Sequence, residues 1–190
     1  WIEKIKEKQP EFRDEKLGRY KKEFDIPQYD AEILTESKHM ADIFEETTAI
    51  CGKPKKVSNW LMVETMRLLK EHSMEPEDIS FSPANLAKLI GLTEDGTINS
   101  SVAKEVFEQV FEKNVDPESY VEEHGLKTVN DEGALEEVLK EVIAKNPKAI
   151  ADYKGGKEKA LGALVGQTMK AMKGKANPGM VNEKLREMLN

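Results

Sequence analysis

Apolar residues recur along this 190-residue chain at intervals of three and four, the spacing that lines one face of a helix. Met40, Ala41, Phe44 and Thr48 form one such stripe. Ala103, Val106, Phe107, Val110 and Phe111 form a second, and Leu135, Val138, Leu139, Val142 and Ile143 a third. From Val57 to Leu69 the apolar residues occupy more than one side, which predicts a helix at the centre of a bundle. A last stripe, Val181, Leu185, Met188 and Leu189, runs to the end of the chain. No stretch alternates apolar and polar residues for long enough to make a hairpin. The nearest, Leu126-Lys-Thr-Val-Asn, is short and isolated and reads as a join.

Four prolines mark helix starts. Ser82-Pro83, Asp116-Pro117, Asn146-Pro147 and Asn177-Pro178 each place a capping residue type before a proline at the first helical position, where the missing N–H costs nothing. The pattern predicts an all-α chain of two multihelical bundles in series. The larger, acidic bundle is expected over residues 30–126, preceded by a short helix around Asp14 to Phe24 that Pro27 separates off. A smaller, basic tail of three or four helices is expected over residues 127–190.

Charge sharpens this division. The formal net charge is −7, yet from Lys145 to Asn190 there are ten Lys/Arg and four Asp/Glu, so a balance of +6 sits on an end that follows a −13 remainder. An acidic chain with one basic end points to a polyanionic partner for that end. The 34% of charged residues suits extensive wet surface, and Cys51, the only cysteine, excludes an intrachain disulfide and fits a reducing compartment. No run of about 18 apolar residues and no signal-peptide pattern is present, so a cytoplasmic address without a membrane is expected. The chain opens inside a charged helical pattern at Trp1, without an initiator methionine, and reads as a fragment.

Within the basic end, residues 158–173 on a helix bring Leu161, Leu164, Val165, Thr168, Met169 and Met172 to one side. The opposite arc holds Lys159, Gly162, Ala163, Gly166, Lys170 and Lys173, a strip of lysines separated by residues with little or no side chain. Glycine inside a helix costs roughly 1 kcal/mol relative to alanine, so Gly162 and Gly166 call for a reason. Either they allow close backbone approach of a phosphodiester chain whose phosphates the lysines neutralise, or they let a second helix of the same chain cross at short distance. For the lysines, the plain alternative is a solvated face.

Catalytic and metal signatures are missing. His39, His72 and His124 lack any ligand spacing and read as ordinary histidines, and Cys51 reads as a small residue at a helix C-terminus. Gly155-Gly156-Lys157 lacks both the preceding strand and the Ser/Thr of a phosphate-binding loop, and has Glu158 where that hydroxyl belongs. Glu45-Glu46, Glu122-Glu123 and Glu136-Glu137 are adjacent pairs that diverge by about 100° on a helix and read as solvated faces. No catalytic residue and no metal ligand is assigned.

The run from Asp152 to Asn182, Asp152-Tyr-Lys-x-Gly-Lys-Glu-Lys-Ala-Leu-Gly-x-Leu-Val-Gly-Gln-x-Met-Lys-x-x-Lys-Gly-Lys-Ala-Asn-Pro-x-x-Val-Asn, closely resembles the tail motif of the GatB/YqeY family. Asp30-Ala-Glu-Ile-Leu-Thr, Ser58-Asn-Trp-Leu-Met, Leu86-Ala-Lys-Leu-Ile and Asp95-Gly-Thr-Ile-Asn-Ser-Ser-Val-Ala-Lys-Glu-Val-Phe resemble the helical domain before that tail. Tyr20 to Tyr29 resembles the connector after the family's larger N-terminal domain, so residues 1–29 read as that connector.

The resemblance implies the B subunit of a tRNA-dependent amidotransferase, a carbon–nitrogen ligase with glutamine as amide donor. In such a heterotrimer the A subunit releases ammonia, and the B subunit uses ATP and Mg²⁺ to amidate Glu-tRNA(Gln) or Asp-tRNA(Asn). Those cofactors belong to the N-terminal domain, and none is expected on this chain. The implied partners are tRNA, held on its outer corner near the D-loop, and the A and C subunits. The implied tRNA-binding residues are Lys154, Lys157, Lys159, Lys170, Lys173 and Lys175, with Lys184 and Arg186 as flanks and Gly162 and Gly166 for close approach. Gly155-Gly156 and Ala163 depart from the family pattern and imply slightly different packing of the tail. The alternatives are a scaffold whose strip docks a neighbouring subunit or synthetase, and a free-standing YqeY-like helical protein.

Overall fold

A computed structural model describes residues 11–128 and 132–189, and among them the regular structure is entirely helical. The helices are α1 (Arg13–Glu23), α2 (Gln28–Leu34), α3 (Lys38–Cys51), α4 (Pro54–Asn59), a π-helical turn (Trp60–Thr65), α5 (Met66–Glu71), α6 (Pro83–Glu94), α7 (Ser100–Lys113), α8 (Pro117–Glu123), α9 (Glu132–Lys145), α10 (Pro147–Lys154), α11 (Glu158–Ala171) and α12 (Pro178–Leu189). The chain divides into two compact units. The first takes the described residues up to Gly91 together with Phe107–Pro117, and the second takes Leu92–Val106 and the described residues from Glu118.

Pro83, Pro117, Pro147 and Pro178 each open a helix, and Pro54 and Pro76 do the same for α4 and for a 3₁₀ turn at Pro76–Asp78. Ser82 caps α6 by accepting from the Asn85 N–H at 3.2 Å, and Asn177 caps α12 by accepting from the Gly179 N–H at 2.9 Å. Asn146 departs from the expected cap. Its amide Nδ2 donates instead to the Val142 carbonyl (2.8 Å), an acceptor left open at the end of α9, and to Gln167 Oε1 (2.6 Å) on α11. The Leu126–Asn130 join forms no strand where it is described. The Thr128 N–H donates to the Thr97 carbonyl at 2.7 Å, and Val129 and Asn130 lie outside the described residues.

In the first unit, Tyr20, Phe24 and Phe44 pack with ring centroids 4.8–5.7 Å apart and tie α1 to α3. Beside the rings, Glu45 accepts from Tyr20 Oη (2.7 Å) and from Arg19 (2.6 Å), with Lys16 Nζ at 3.6 Å. Glu45 is therefore the centre of a half-buried network and not the solvated residue that its pairing with Glu46 suggests. A second aromatic group joins Trp60, Phe81, Phe107 and Phe111.

The Val57–Leu69 segment is not the uniformly buried central helix its composition predicts. Val57, Leu61, Leu68 and Leu69 are buried, but Val63 is 52% exposed and Met66 36%. The π turn is the reason. The Met66 N–H reaches back five residues to the Leu61 carbonyl, and Thr65 Oγ1 bonds the Trp60 carbonyl (3.1 Å), so an extra residue enters the turn and rotates the second apolar side outward. There it lines a groove of about 670 Å³ with Tyr29, Ile33 and Met62.

The second unit has one core in its helices from α9 onward. Leu135, Leu139 and Val142 of α9 meet Leu161 and Leu164 of α11 and Val181, Leu185 and Leu189 of α12. Leu164 and Leu185 have no exposed surface, and full burial of such a side chain contributes about 1.5–3 kcal/mol each. Thr168, also fully buried, satisfies its hydroxyl by donating to the Leu164 carbonyl at 2.8 Å.

Candidate nucleic-acid interface

The core of the second unit fixes which side of α11 meets solvent. Leu161, Leu164 and Thr168 are buried and Val165 and Met169 half-buried, while Lys159, Gly162, Ala163, Gly166 and Lys170 are all exposed. Lys159 and Lys170 lie eleven residues apart in the sequence, which places them about 20° apart around the helix and about 16 Å along it.

A Cβ built at Gly162 or at Gly166 meets no atom within 4 Å. The close helix crossing that small residues at this spacing permit is therefore absent among the described residues, and packing within the chain does not explain these two glycines.

The strip ends sooner than the helical pattern predicts. α11 stops at Ala171, and Lys173 adopts a left-handed conformation (φ 53°) before Gly174 (φ 72°). The Gly174 N–H donates to the Met169 carbonyl (2.8 Å) and the Lys173 N–H to the Lys170 carbonyl (3.0 Å), the paired bonds of a Schellman end. Lys173 thus holds the position where such ends favour glycine, at a cost of about 1 kcal/mol. Its side chain leaves the helical phase, and with half-buried Lys175 it belongs to the turn between α11 and α12.

At the other end, the Lys154, Gly155, Gly156 and Lys157 segment turns the chain from α10 into α11. Gly156 (φ 90°) takes a conformation that side chains resist, and the Lys157 N–H closes the turn on the Asp152 carbonyl (3.0 Å). Lys157 Nζ is held by the Asp152 carboxylate at 3.1 Å. Of the six lysines named from the sequence, Lys157 is thus the one already neutralised. Lys154, Lys159, Lys170, Lys173 and Lys175 have no carboxylate partner among the described residues, and neither does exposed Lys148 on α10, which the sequence pattern does not single out. Of the two flanking cations, Lys184 pairs with Glu187 at 3.4 Å, and the Arg186 guanidinium stands 3.8 Å from Glu158.

The remaining titratable candidates have local roles. His39 Nε2 bonds the Ile79 carbonyl (2.9 Å), His72 stands 3.7 Å from Glu112, and His124 stacks on Tyr120 with ring centroids 4.0 Å apart. Cys51 ends α3 before Gly52 (φ 65°), as its sequence context predicts. Among the described residues, no three His, Cys, Asp or Glu side chains converge as metal ligands, and no helix is long and apolar enough to cross a membrane.

A family model described as the GatB domain matches residues 42–189, a span that includes the whole lysine-bearing segment. The chain is 68% identical to the B subunit of the aspartyl/glutamyl-tRNA(Asn/Gln) amidotransferase of Agathobacter rectalis, 61% to that of Lachnospira eligens and 47% to that of Thermodesulfovibrio yellowstonii. Each match takes in 100% of this chain and 40% of the relative, so the chain spans 40% of the length of the curated relatives it resembles. On this identity and this coverage, the chain belongs to the GatB domain family.

Proposed function

We propose that this chain is the tRNA-holding part of the B subunit of an amidotransferase, and that Lys154, Lys159, Lys170, Lys173 and Lys175 neutralise phosphates along one side of the tRNA. One observation supports this above the others: these five cations have no carboxylate partner among the described residues, although their neighbours Lys145, Lys157 and Lys184 all do. The open space over Gly162 and Gly166 lets a sugar–phosphate chain approach the α11 backbone between Lys159 and Lys170. In this reading the chain positions Glu-tRNA(Gln) or Asp-tRNA(Asn) by its outer corner, in the cytoplasm. Amidation, with its ATP and Mg²⁺, is assigned to the part of the protein outside these residues, working with the A and C subunits.

Binding of tRNA by the whole 190-residue chain tests this reading. Five phosphate contacts predict a slope of about −4.5 for log affinity against log salt. Replacing Lys159, Lys170 and Lys173 together by Gln is expected to reduce that slope by about 3 while helicity is unchanged. A slope near zero in the parent, or an unchanged slope in the triple variant, sinks the proposal. Retention of the A and C subunits through the same lysines without tRNA would favour the scaffold instead.

A further inference from the structure

Between α11 and the start of α12, within the second unit, lies a groove of about 420 Å³. Its floor is apolar, made by Leu161, Val165 and Pro178 with the bare backbone of Gly162 between them. Gly162 also belongs to the lysine face, so the groove opens onto the strip that runs from Lys159 to Lys170.

The rim differs in kind from the strip. Glu158, Asn182 and Arg186 stand on it. Arg186 Nη2 is 3.8 Å from Glu158 Oε1, beyond hydrogen-bond reach, and Arg186 Nε meets Asn182 Oδ1 only at 3.4 Å. A guanidinium carries five N–H donors and a carboxylate about four acceptor sites, so among the described residues both groups leave nearly all of their hydrogen-bonding capacity unmatched. An acceptor and a set of donors therefore sit side by side above an apolar floor.

We propose that this groove takes one unpaired nucleobase of the RNA lying along the lysine face. The inference rests on the RNA reading given above. A phosphate does not suit the groove, because it offers acceptors only and Glu158 would repel it. A base does suit it. Its flat face covers the surface that Val165 and Pro178 leave open above buried Leu161, and its Watson–Crick edge carries neighbouring donor and acceptor groups for Glu158 and Arg186. Gly162 then has a definite role, since any side chain there would occupy the space of the base.

The test compares two single-stranded oligoribonucleotides of equal length and charge, one intact and one abasic at every position, on the whole chain. The intact strand is expected to bind about tenfold more tightly, with the same salt slope for both. Gly162→Leu fills the groove without meeting another atom at Cβ, and is expected to bring the intact strand down to the abasic level while the salt slope stays unchanged. Glu158→Gln separates the two ligand chemistries: it weakens the intact strand if a base is bound and tightens both strands if a phosphate is bound. Equal affinity of the two strands for the parent chain, or a tenfold difference that survives Gly162→Leu, overturns the groove while lysine-dependent binding leaves the RNA reading standing. Failure of both strands to bind removes the two proposals together.

Discussion

Arg67 in the first unit and Lys170 in the second are both cations on helices, and the fold treats them in opposite ways. Arg67 is held by Glu64 (3.2 Å), Glu71 (3.0 Å) and Glu108 (3.0 Å), whereas Lys170 meets no carboxylate among the described residues. The contrast is local and not a property of whole units: exposed Lys22 and Lys70 of the first unit meet no carboxylate among the described residues, and Lys127, Lys140, Lys145, Lys157 and Lys184 of the second do. Lys16, Arg19, Lys38, Lys55 and Lys88 are matched by acids of the first unit, while Lys154, Lys159, Lys173 and Lys175 stand unmatched on the second. Net charge alone does not separate a solvated surface from a binding surface.

The largest expected effect comes from removing the frame that presents the lysines. Leu164→Ala empties the centre of the second unit's core and is expected to cost about 2–5 kcal/mol. Amide exchange read by mass spectrometry should rise along α9–α12 and leave α3 protected. An equal rise in α3 would mean that the two regions do not hold their structure separately.

Next in size is a direct comparison of charges. Glu45→Ala takes a half-buried acceptor from Tyr20 and Arg19 and is expected to destabilise by about 2–3 kcal/mol, because charge-assisted bonds are lost and the donors remain. Lys159→Ala, on the open strip, is expected to shift stability by less than about 0.5 kcal/mol in urea titrations. A cost for Lys159→Ala near that of Glu45→Ala would show the strip to be structural.

These two residues also show where the sequence is legible and where it is not. The phase of Leu161, Leu164 and Thr168 is readable because a helix repeats every 3.6 residues whatever surrounds it, and the proline-marked starts are readable because the missing N–H is a local fact. The role of Glu45 is not, since Tyr20 and Arg19 reach it from a helix some 25 residues away in the chain. The π turn at Trp60–Thr65 and the left-handed Lys173 depend on how neighbouring helices crowd the backbone, which periodicity does not record. In the sequence Lys157 resembles the open lysines around it, because its partner, Asp152, is brought to it only by the turn at Gly156.

A smaller effect depends on pH. Burial, reinforced by the Glu45 carboxylate, pushes the Tyr20 phenol well above its ordinary value near 10. A group raised in the folded state contributes stability that is complete below the unfolded pKa and is lost as pH rises above it. The first unit should therefore lose about 1.4 kcal/mol per pH unit above about pH 10 on account of this tyrosine. Lysines titrate in the same range, so the informative quantity is the difference from Tyr20→Phe, whose curve should be flatter. Parallel curves would show that Tyr20 ionises as easily folded as unfolded.

The smallest expected stability changes decide what the second unit's open face is for. Gly166→Ala adds a methyl group where nothing lies within 4 Å, and Lys173→Gly relieves a left-handed lysine; each is expected to stabilise the chain by about 0.5–1 kcal/mol. A surface under no other constraint would carry both changes freely, because they improve the fold. On a face that holds RNA both should weaken tRNA binding, Gly166→Ala by holding the backbone away and Lys173→Gly by removing a charge, which lowers the salt slope by about 0.9. Thermal melts and salt-dependent binding on the same two variants therefore pull in opposite directions if the face is functional. If stability rises and affinity is unchanged, the unmatched lysines are ordinary solvated charges and the contrast with Arg67 has no consequence for binding.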